Sequence, residues 1–124
     1  MRKWLWFWVP VILYIGFIFW LSSAPRSIPG IKQFPWLDKV FHFAEYAPLG
    51  TLLIRAFRRS FTQMPRGQAQ LFSFLQALWI GILDEWLQRR IPLRVSSPWD
   101  TFWDCVGAVA GQQLYRRRKL ANTP

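Results

Sequence analysis

Residues 4–21 form an uncharged apolar run that limits what this chain can fold into, and Arg2 and Lys3 precede it. At about 1.5 Å per residue, a helix of this length nearly crosses a hydrocarbon core of about 30 Å. Ser22-Ser23-Ala24 resembles the cleavage site of a secretory signal peptide. The run is longer than the roughly 7–15 apolar residues of a signal peptide, however, and Pro25 directly follows the would-be cut. We therefore expect a retained first membrane span.

The composition favours a membrane protein over a soluble domain. Of the 124 residues, 52% are hydrophobic and nine are Trp, which is more apolar surface than a soluble domain of this size buries. The net charge of +10 also suits nucleic-acid binding. The basic residues flank apolar runs instead of covering one face, so we expect membrane lipids and no nucleic acid as partners. The only cysteine, Cys105, excludes an intrachain disulfide.

Three further apolar segments follow, separated by a connecting loop over residues 22–37 and polar turns near residues 61–68 and Pro92. The predicted spans cover residues 4–21, 39–57, 69–89 and 98–115. Asp38 suits the N-cap of the second helix, and Ser97 with Pro98 suits the start of the fourth. The expected fold is an all-α, four-span transmembrane helical bundle that forms a single domain over residues 1–124.

The distribution of lysine and arginine predicts that both termini lie in the cytoplasm. The side that holds the termini receives ten basic residues: Arg2, Lys3, Arg55, Arg58, Arg59, Arg66, Arg116, Arg117, Arg118 and Lys119. The other side receives six: Arg26, Lys32, Lys39, Arg89, Arg90 and Arg94. The more basic side of a membrane protein is normally cytoplasmic. All six carboxylates and the only histidine fall at the opposite, outer ends of the second, third and fourth helices, which predicts one outer-facing polar site.

The second helix carries Asp38, His42 and Glu45 on one face, with Tyr46 four residues after His42. Histidine changes charge near neutral pH and a neighbouring carboxylate fixes its tautomer, so this face suits acid–base chemistry or ligand binding. The alternative is structural: Asp38 caps the helix, and His42 pairs with Glu45.

The third helix carries the adjacent carboxylates Asp84 and Glu85, with Gln88 four residues after Asp84. Adjacent side chains point about 100° apart on a helix, so we expect the two carboxylates to have different partners, one of them on the second helix and the other on the fourth. The alternative is ion pairing with the arginines that follow: Arg89, Arg90 and Arg94.

The fourth helix has Asp100, Asp104, Gly107 and Gly111 as one stripe. The spacing of the two glycines is typical of close helix contact, either within the bundle or between protomers of a homo-oligomer. Ser97 and Asp100 fit a capping box, which leaves Asp104 as the better functional candidate. A single histidine, without a second at ligand spacing, predicts no metal site, and we expect no cofactor.

These residues resemble the VanZ-like family of small bacterial membrane proteins. The matching residues are Ser22 and Ser23; Asp38, Lys39, His42, Phe43, Tyr46, Leu49 and Gly50; Gly81, Asp84, Glu85 and Gln88; and Pro92, Arg94, Ser97, Asp100, Gly107 and Gly111. Where that family typically has Asn, this chain has Asp104. The resemblance implies a multi-span cell-envelope protein, and the family's founding member is associated with reduced susceptibility to the glycopeptide antibiotic teicoplanin.

We therefore expect a multi-pass protein of the bacterial cytoplasmic membrane whose outer-facing pocket binds an anionic lipid or cell-wall precursor head group. The expected acids and bases of a group transfer or hydrolysis are His42, Glu45, Asp84 and Glu85. The expected substrate-binding residues are Lys39, Tyr46, Gln88, Arg94 and Asp104. Two alternatives stay open, a lipid or proton-coupled transporter or flippase and a structural membrane bundle.

Overall fold

The computed structural model describes residues 2–23, 35–91 and 97–121, which form four α-helices and, within these ranges, no strand. Helix α1 covers Arg2–Ser23, α2 covers Pro35–Ser60, α3 covers Arg66–Gln88 and α4 covers Pro98–Ala121. The expected all-α class and the number of helices are confirmed.

The largest differences from the predicted spans are at the start of α2 and at the end of α4. Helix α2 begins at Pro35, so Asp38 lies in its first turn and the predicted N-cap at Asp38 is wrong. Proline is well suited to a first helical turn because the N–H group that it lacks has no intrahelical partner there. Helix α4 continues through the basic run to Ala121, since cations in a last turn interact favourably with the helix dipole.

The predicted capping box at the start of α4 is confirmed. The backbone N–H of Ser97 donates to Asp100 Oδ2 at 3.2 Å, and the N–H of Trp99 donates to Ser97 Oγ at 3.3 Å. These bonds satisfy backbone donors that a helix N-terminus otherwise leaves without partners. They also fix the side chain of Asp100 on the inner face of α4, where it is fully buried.

Three glycines bring α2 and α4 into backbone contact. A Cβ atom added at any of these glycines would collide with the backbone of the facing helix. The pairs are Gly50 with Ala108, Gly107 with Phe43 and Gly111 with Ala47. The Thr51 hydroxyl on α2 donates to the Gly111 carbonyl at 2.8 Å. The expected close contact of Gly107 and Gly111 within the bundle is confirmed, whereas a homo-oligomer through them stays a prediction.

Helix α1 packs against α2 through apolar side chains such as Val11 and Ile18. Two hydrogen bonds also join α1 to α2. Trp8 Nε1 donates to Ser60 Oγ at 2.8 Å, and the Tyr14 hydroxyl donates to the Glu45 carbonyl at 2.5 Å. Helix α1 therefore belongs to the bundle and contributes to its core.

The bundle exposes many large apolar side chains and buries a group of polar side chains next to its apolar core. Seven of the nine Trp are exposed: Trp4, Trp6, Trp20, Trp36, Trp79, Trp86 and Trp99. The buried polar residues are Ser22, His42, Ser73, Asp84, Glu85, Gln88, Asp100, Asp104 and Gln112. Soluble monomers rarely expose apolar surface on this scale.

Among the described helices, α1 alone is long and apolar enough to cross a membrane, a property that an N-terminal signal sequence shares. The polar side chains that α2, α3 and α4 carry toward one another lower the mean hydropathy of these helices.

Candidate functional site

The buried polar side chains of three helices meet at one end of the bundle. The N-terminal half of α2, the C-terminal end of α3 and the N-terminal half of α4 contribute to this end. We call the group the polar cluster; its members are Asp38, Lys39, His42, Tyr46, Asp84, Gln88, Asp100 and Asp104. The helices thus bring together side chains up to 66 residues apart in the sequence, the separation of Asp38 and Asp104.

His42 and Asp104 form the central pair of the polar cluster. His42 Nδ1 lies 2.7 Å from Asp104 Oδ1, and both side chains are buried. Gly81 on α3 leaves room for this carboxylate, because a Cβ atom there would lie only 3.3 Å from Asp104 Oδ2. A carboxylate bonded to Nδ1 fixes a proton on that nitrogen, so Nε2 is the ring nitrogen that exchanges a proton. Asp104, expected to bind substrate, is thus positioned to orient His42.

His42 Nε2 faces two further carboxylates. It lies 3.6 Å from Asp100 Oδ2 and 3.9 Å from Asp38 Oδ1. The Lys39 ammonium contacts Asp100 Oδ1 and lies 3.5 Å from Asp38 Oδ2, which compensates part of the negative charge. Lys39, predicted to bind substrate, therefore already contacts two protein carboxylates.

Asp38 and Asp100 were not among the predicted site residues, because each had a capping role in the sequence. Asp100 has both roles in the structure, since Oδ2 caps α4 while Oδ1 contacts Lys39. Asp38 and His42 are four residues apart and therefore lie on one face of α2, and this spacing could have identified Asp38 as a site residue.

Asp38, His42 and Asp100 also form a possible set of metal ligands. Each offers one ligand atom, and the three atoms lie within 4.8 Å of one another. Nitrogen and carboxylate donors of this kind suit divalent ions such as Zn²⁺, and Asp104 would orient the imidazole from behind. The Lys39 ammonium already provides a positive charge beside two of the three ligands. The absence of a metal site stays a prediction.

Tyr46, Asp84 and Gln88 form a second hydrogen-bonded group next to the central pair. The Tyr46 hydroxyl donates to Asp84 Oδ2 at 3.1 Å, and Gln88 Nε2 donates to the same oxygen at 3.3 Å. Gln88 Nε2 also lies 3.4 Å from Ser22 Oγ at the end of α1. Asp84 thus faces α2, one of the two partners expected for the adjacent carboxylates.

Glu85 points to a different partner from that of Asp84. Its Oε1 lies 3.8 Å from Arg89 Nε, one turn later on the chain, and the Arg89 side chain is 62% exposed. This is the ion pair of the structural alternative. Glu45 is half-buried beside Tyr46, and its carbonyl accepts the Tyr14 hydrogen bond. Arg94 lies outside the described residues.

Comparison of the chain with protein-family models, curated proteins and solved structures gave no match. The similarity to the VanZ-like family therefore stays a prediction from the motif residues.

Proposed function

We propose that this chain is a four-span protein of the bacterial cytoplasmic membrane with both termini in the cytoplasm. The exposed tryptophans and the buried carboxylates support this proposal, because a hydrocarbon environment favours apolar side chains outside and paired polar side chains inside. The concentration of basic residues at the end opposite the polar cluster supports the orientation. A green fluorescent protein fused after Pro124 is then fluorescent, whereas an alkaline phosphatase fused there is inactive.

Within that bundle, we propose that the polar cluster catalyses an acid–base reaction on an outer-leaflet lipid or cell-wall precursor with an anionic head group. The observation that carries the proposal is the buried pair of His42 and Asp104, with Nδ1 and Oδ1 2.7 Å apart. Histidine oriented by a carboxylate is a recurrent general base. Lys39, and Arg94 from the segment after α3, are proposed to bind the phosphate or carboxylate of the head group.

In this mechanism His42 Nε2 accepts a proton from the attacking water or hydroxyl group. The nucleophile's oxygen forms a bond to the phosphorus or carbonyl carbon of the substrate, and the bond to the leaving oxygen breaks. His42 then returns the proton to that leaving oxygen. Asp104 stabilises the imidazolium that forms between these steps. Asp84, held by Tyr46 and Gln88, borders the site.

A transporter or flippase is the second candidate function. The hydrogen-bonded group of Tyr46, Asp84, Gln88 and Ser22 extends from the end of α1 to the middle of α2. Chains of ionisable and polar groups of this kind carry protons or pair with moving head groups in transporters. A transporter moves a head group between leaflets and forms no new chemical species, which separates it from the enzyme.

The test is mass spectrometry of labelled lipids and lipid-linked precursors in liposomes that contain the full-length protein. We expect the wild-type protein to form a new species and His42→Ala to form none. Gln113→Ala, at an exposed position of α4, is the control and should match the wild type. Unchanged lipids with the wild-type protein would contradict catalysis. Head-group movement without a new species would establish the transporter, and variants that lower only the melting temperature would indicate a structural bundle.

A further inference from the structure

A basic pocket lies at the end of the bundle opposite the polar cluster. It is a cavity of about 110 Å³, several times the roughly 30 Å³ that one water molecule occupies in the liquid. Its lining includes four basic residues from three helices: Arg58 of α2, Arg66 of α3, and Arg116 and Lys119 of α4. Gln70 and Tyr115 add neutral hydrogen-bonding groups. We call this cavity the basic pocket.

No Asp or Glu is among the described residues that line the basic pocket. The six carboxylates of the chain are Asp38, Glu45, Asp84, Glu85, Asp100 and Asp104, and those of α3 and α4 lie toward the other end of the bundle. On α3, Arg66 and Asp84 are eighteen residues apart, which corresponds to about 27 Å along the helix axis. Among the described residues that line the pocket, no carboxylate therefore balances the charges of Arg58, Arg66 and Arg116.

Two local features favour anion binding in the basic pocket. Helix α3 begins here at Arg66 after Pro65, which provides no side-chain cap, so the first turn points its backbone N–H groups outward. Arg58 Nη1 donates to the Met64 carbonyl at 3.3 Å, which fixes the guanidinium beside the turn between α2 and α3. The remaining guanidinium N–H groups of Arg58 are available to a ligand.

We propose that the basic pocket binds a phosphate group, either of an anionic phospholipid or of a small phosphorylated solute. Guanidinium groups form paired hydrogen bonds to phosphate oxygens. Cations that converge from three helices can therefore contact a single phosphate group together. Basic pockets between membrane helices on the cytoplasmic side recognise anionic head groups by the same physics. The proposal is independent of the catalysis proposed above, since the two sites share no residue.

The test compares two double variants of the full-length protein that remove equal charge. Arg58→Gln with Arg116→Gln changes the lining of the pocket. Arg59→Gln with Arg117→Gln changes the neighbouring, exposed residues, which do not line it. Retention of phosphatidylglycerol over phosphatidylcholine is measured by native mass spectrometry from mixed-lipid nanodiscs. Binding of inorganic phosphate and pyrophosphate is measured by calorimetry in detergent.

We expect the wild-type protein and the Arg59/Arg117 variant to bind alike and the Arg58/Arg116 variant to lose affinity by about tenfold or more. Preference for phosphatidylglycerol without binding of the free anions identifies the lipid as the source of the phosphate, whereas binding of the free anions identifies a soluble ligand. Equal losses in both double variants would overturn the proposal, because only net charge would then matter. So would a wild-type protein that neither prefers phosphatidylglycerol nor binds the anions.

Circular dichroism and the melting temperature establish that each variant is folded. If the Arg58/Arg116 variant does not fold, Arg116→Gln alone is compared with Arg117→Gln. Arg116 is exposed at the pocket rim, so its substitution leaves the helix packing intact and the comparison keeps its meaning.

Discussion

The two ends of the bundle handle charge in opposite ways. At the polar cluster, negative and positive side chains are buried and contact one another, as in the contacts of Asp100 with Lys39 and of Asp104 with His42. At the basic pocket, cations from three helices surround a cavity with no lining carboxylate among the described residues. A charge that is buried needs a partner within the protein, whereas a charge at a rim can take its partner from outside.

This contrast separates what each end is suited for. The polar cluster has fixed donors and acceptors at hydrogen-bond distance, which is the preorganised arrangement that proton transfer needs. The basic pocket has charge and space, which is what the binding of an anion needs. Four pairs of substitutions test the contrast, in order of decreasing expected effect.

The largest effect is expected from the central pair of the polar cluster. His42→Ala should lower turnover by about 10²–10⁴-fold, the usual contribution of a general base. Asp104→Asn should lower it less, and the double variant should be no worse than His42→Ala, because Asp104 acts through His42. Initial rates of the labelled-lipid reaction measure this. Additive losses would contradict the positioning role of Asp104.

The next effect is expected from the cation of the polar cluster. Lys39→Met leaves the fully buried Asp100 without its counter-ion and should lower the free energy of unfolding by about 3 kcal/mol. Arg59→Met, at the exposed surface of the basic end, should leave the melting temperature unchanged. Thermal unfolding in detergent provides both values. If the two variants lower the melting temperature by similar amounts, charged side chains stabilise both ends of the bundle equally, which would contradict the contrast.

A smaller effect is expected between the two ends, where α2 and α4 touch. Gly111→Ala places a Cβ atom against the Ala47 backbone and should destabilise the protein by about 1–3 kcal/mol. Gly16→Ala on α1, with no atom within 4 Å of the new Cβ, should be neutral or stabilising. Thermal unfolding in the same detergent compares the two. If both substitutions leave the melting temperature unchanged, close backbone contact between α2 and α4 does not contribute to stability.

The smallest effect is expected from single hydroxyl groups. Tyr46→Phe removes the hydrogen bond to Asp84 and should cost about 1 kcal/mol. Tyr115→Phe deletes the same atom from a residue that lines the basic pocket and should leave the melting temperature unchanged. If Tyr115→Phe lowers the melting temperature more than Tyr46→Phe does, the Tyr115 hydroxyl stabilises the fold, which would contradict the contrast between the two ends.

The sequence was sufficient for the features that depend on local pattern. The apolar runs predicted four helices, and the Ser97–Asp100 spacing predicted the capping box, because both depend on residues within a turn or two of each other. The confinement of every carboxylate to three helix ends predicted that these side chains would meet. Helical periodicity also predicted that Asp84 and Glu85 would have different partners.

The sequence was insufficient for pairings between helices, because helical periodicity fixes a face but not the partner of that face. In the structural alternative His42 was expected to pair with Glu45 on its own helix, and it pairs with Asp104, 62 residues away. Asp100 was assigned to capping, although a carboxylate has two oxygens and the second one contacts Lys39. Helical periodicity also did not predict that Gly81 of α3 makes room for the Asp104 side chain of α4.

The pairing of α2 with α4 has a consequence for the order in which the protein is made. Helix α4 ends at Ala121, 61 residues after α2 ends at Ser60, so at about 5–20 residues per second its synthesis is completed about 3–12 s later. During that interval the ribosome has released His42 and Lys39 but not the Asp104 and Asp100 that they contact. In a bilayer, these two side chains then have Asp38 of their own helix as a carboxylate partner but lack the two carboxylates of α4. In the proposed four-span topology, the polar contacts of the second span are therefore completed only when the fourth is made, so biogenesis of the protein ends with its last helix.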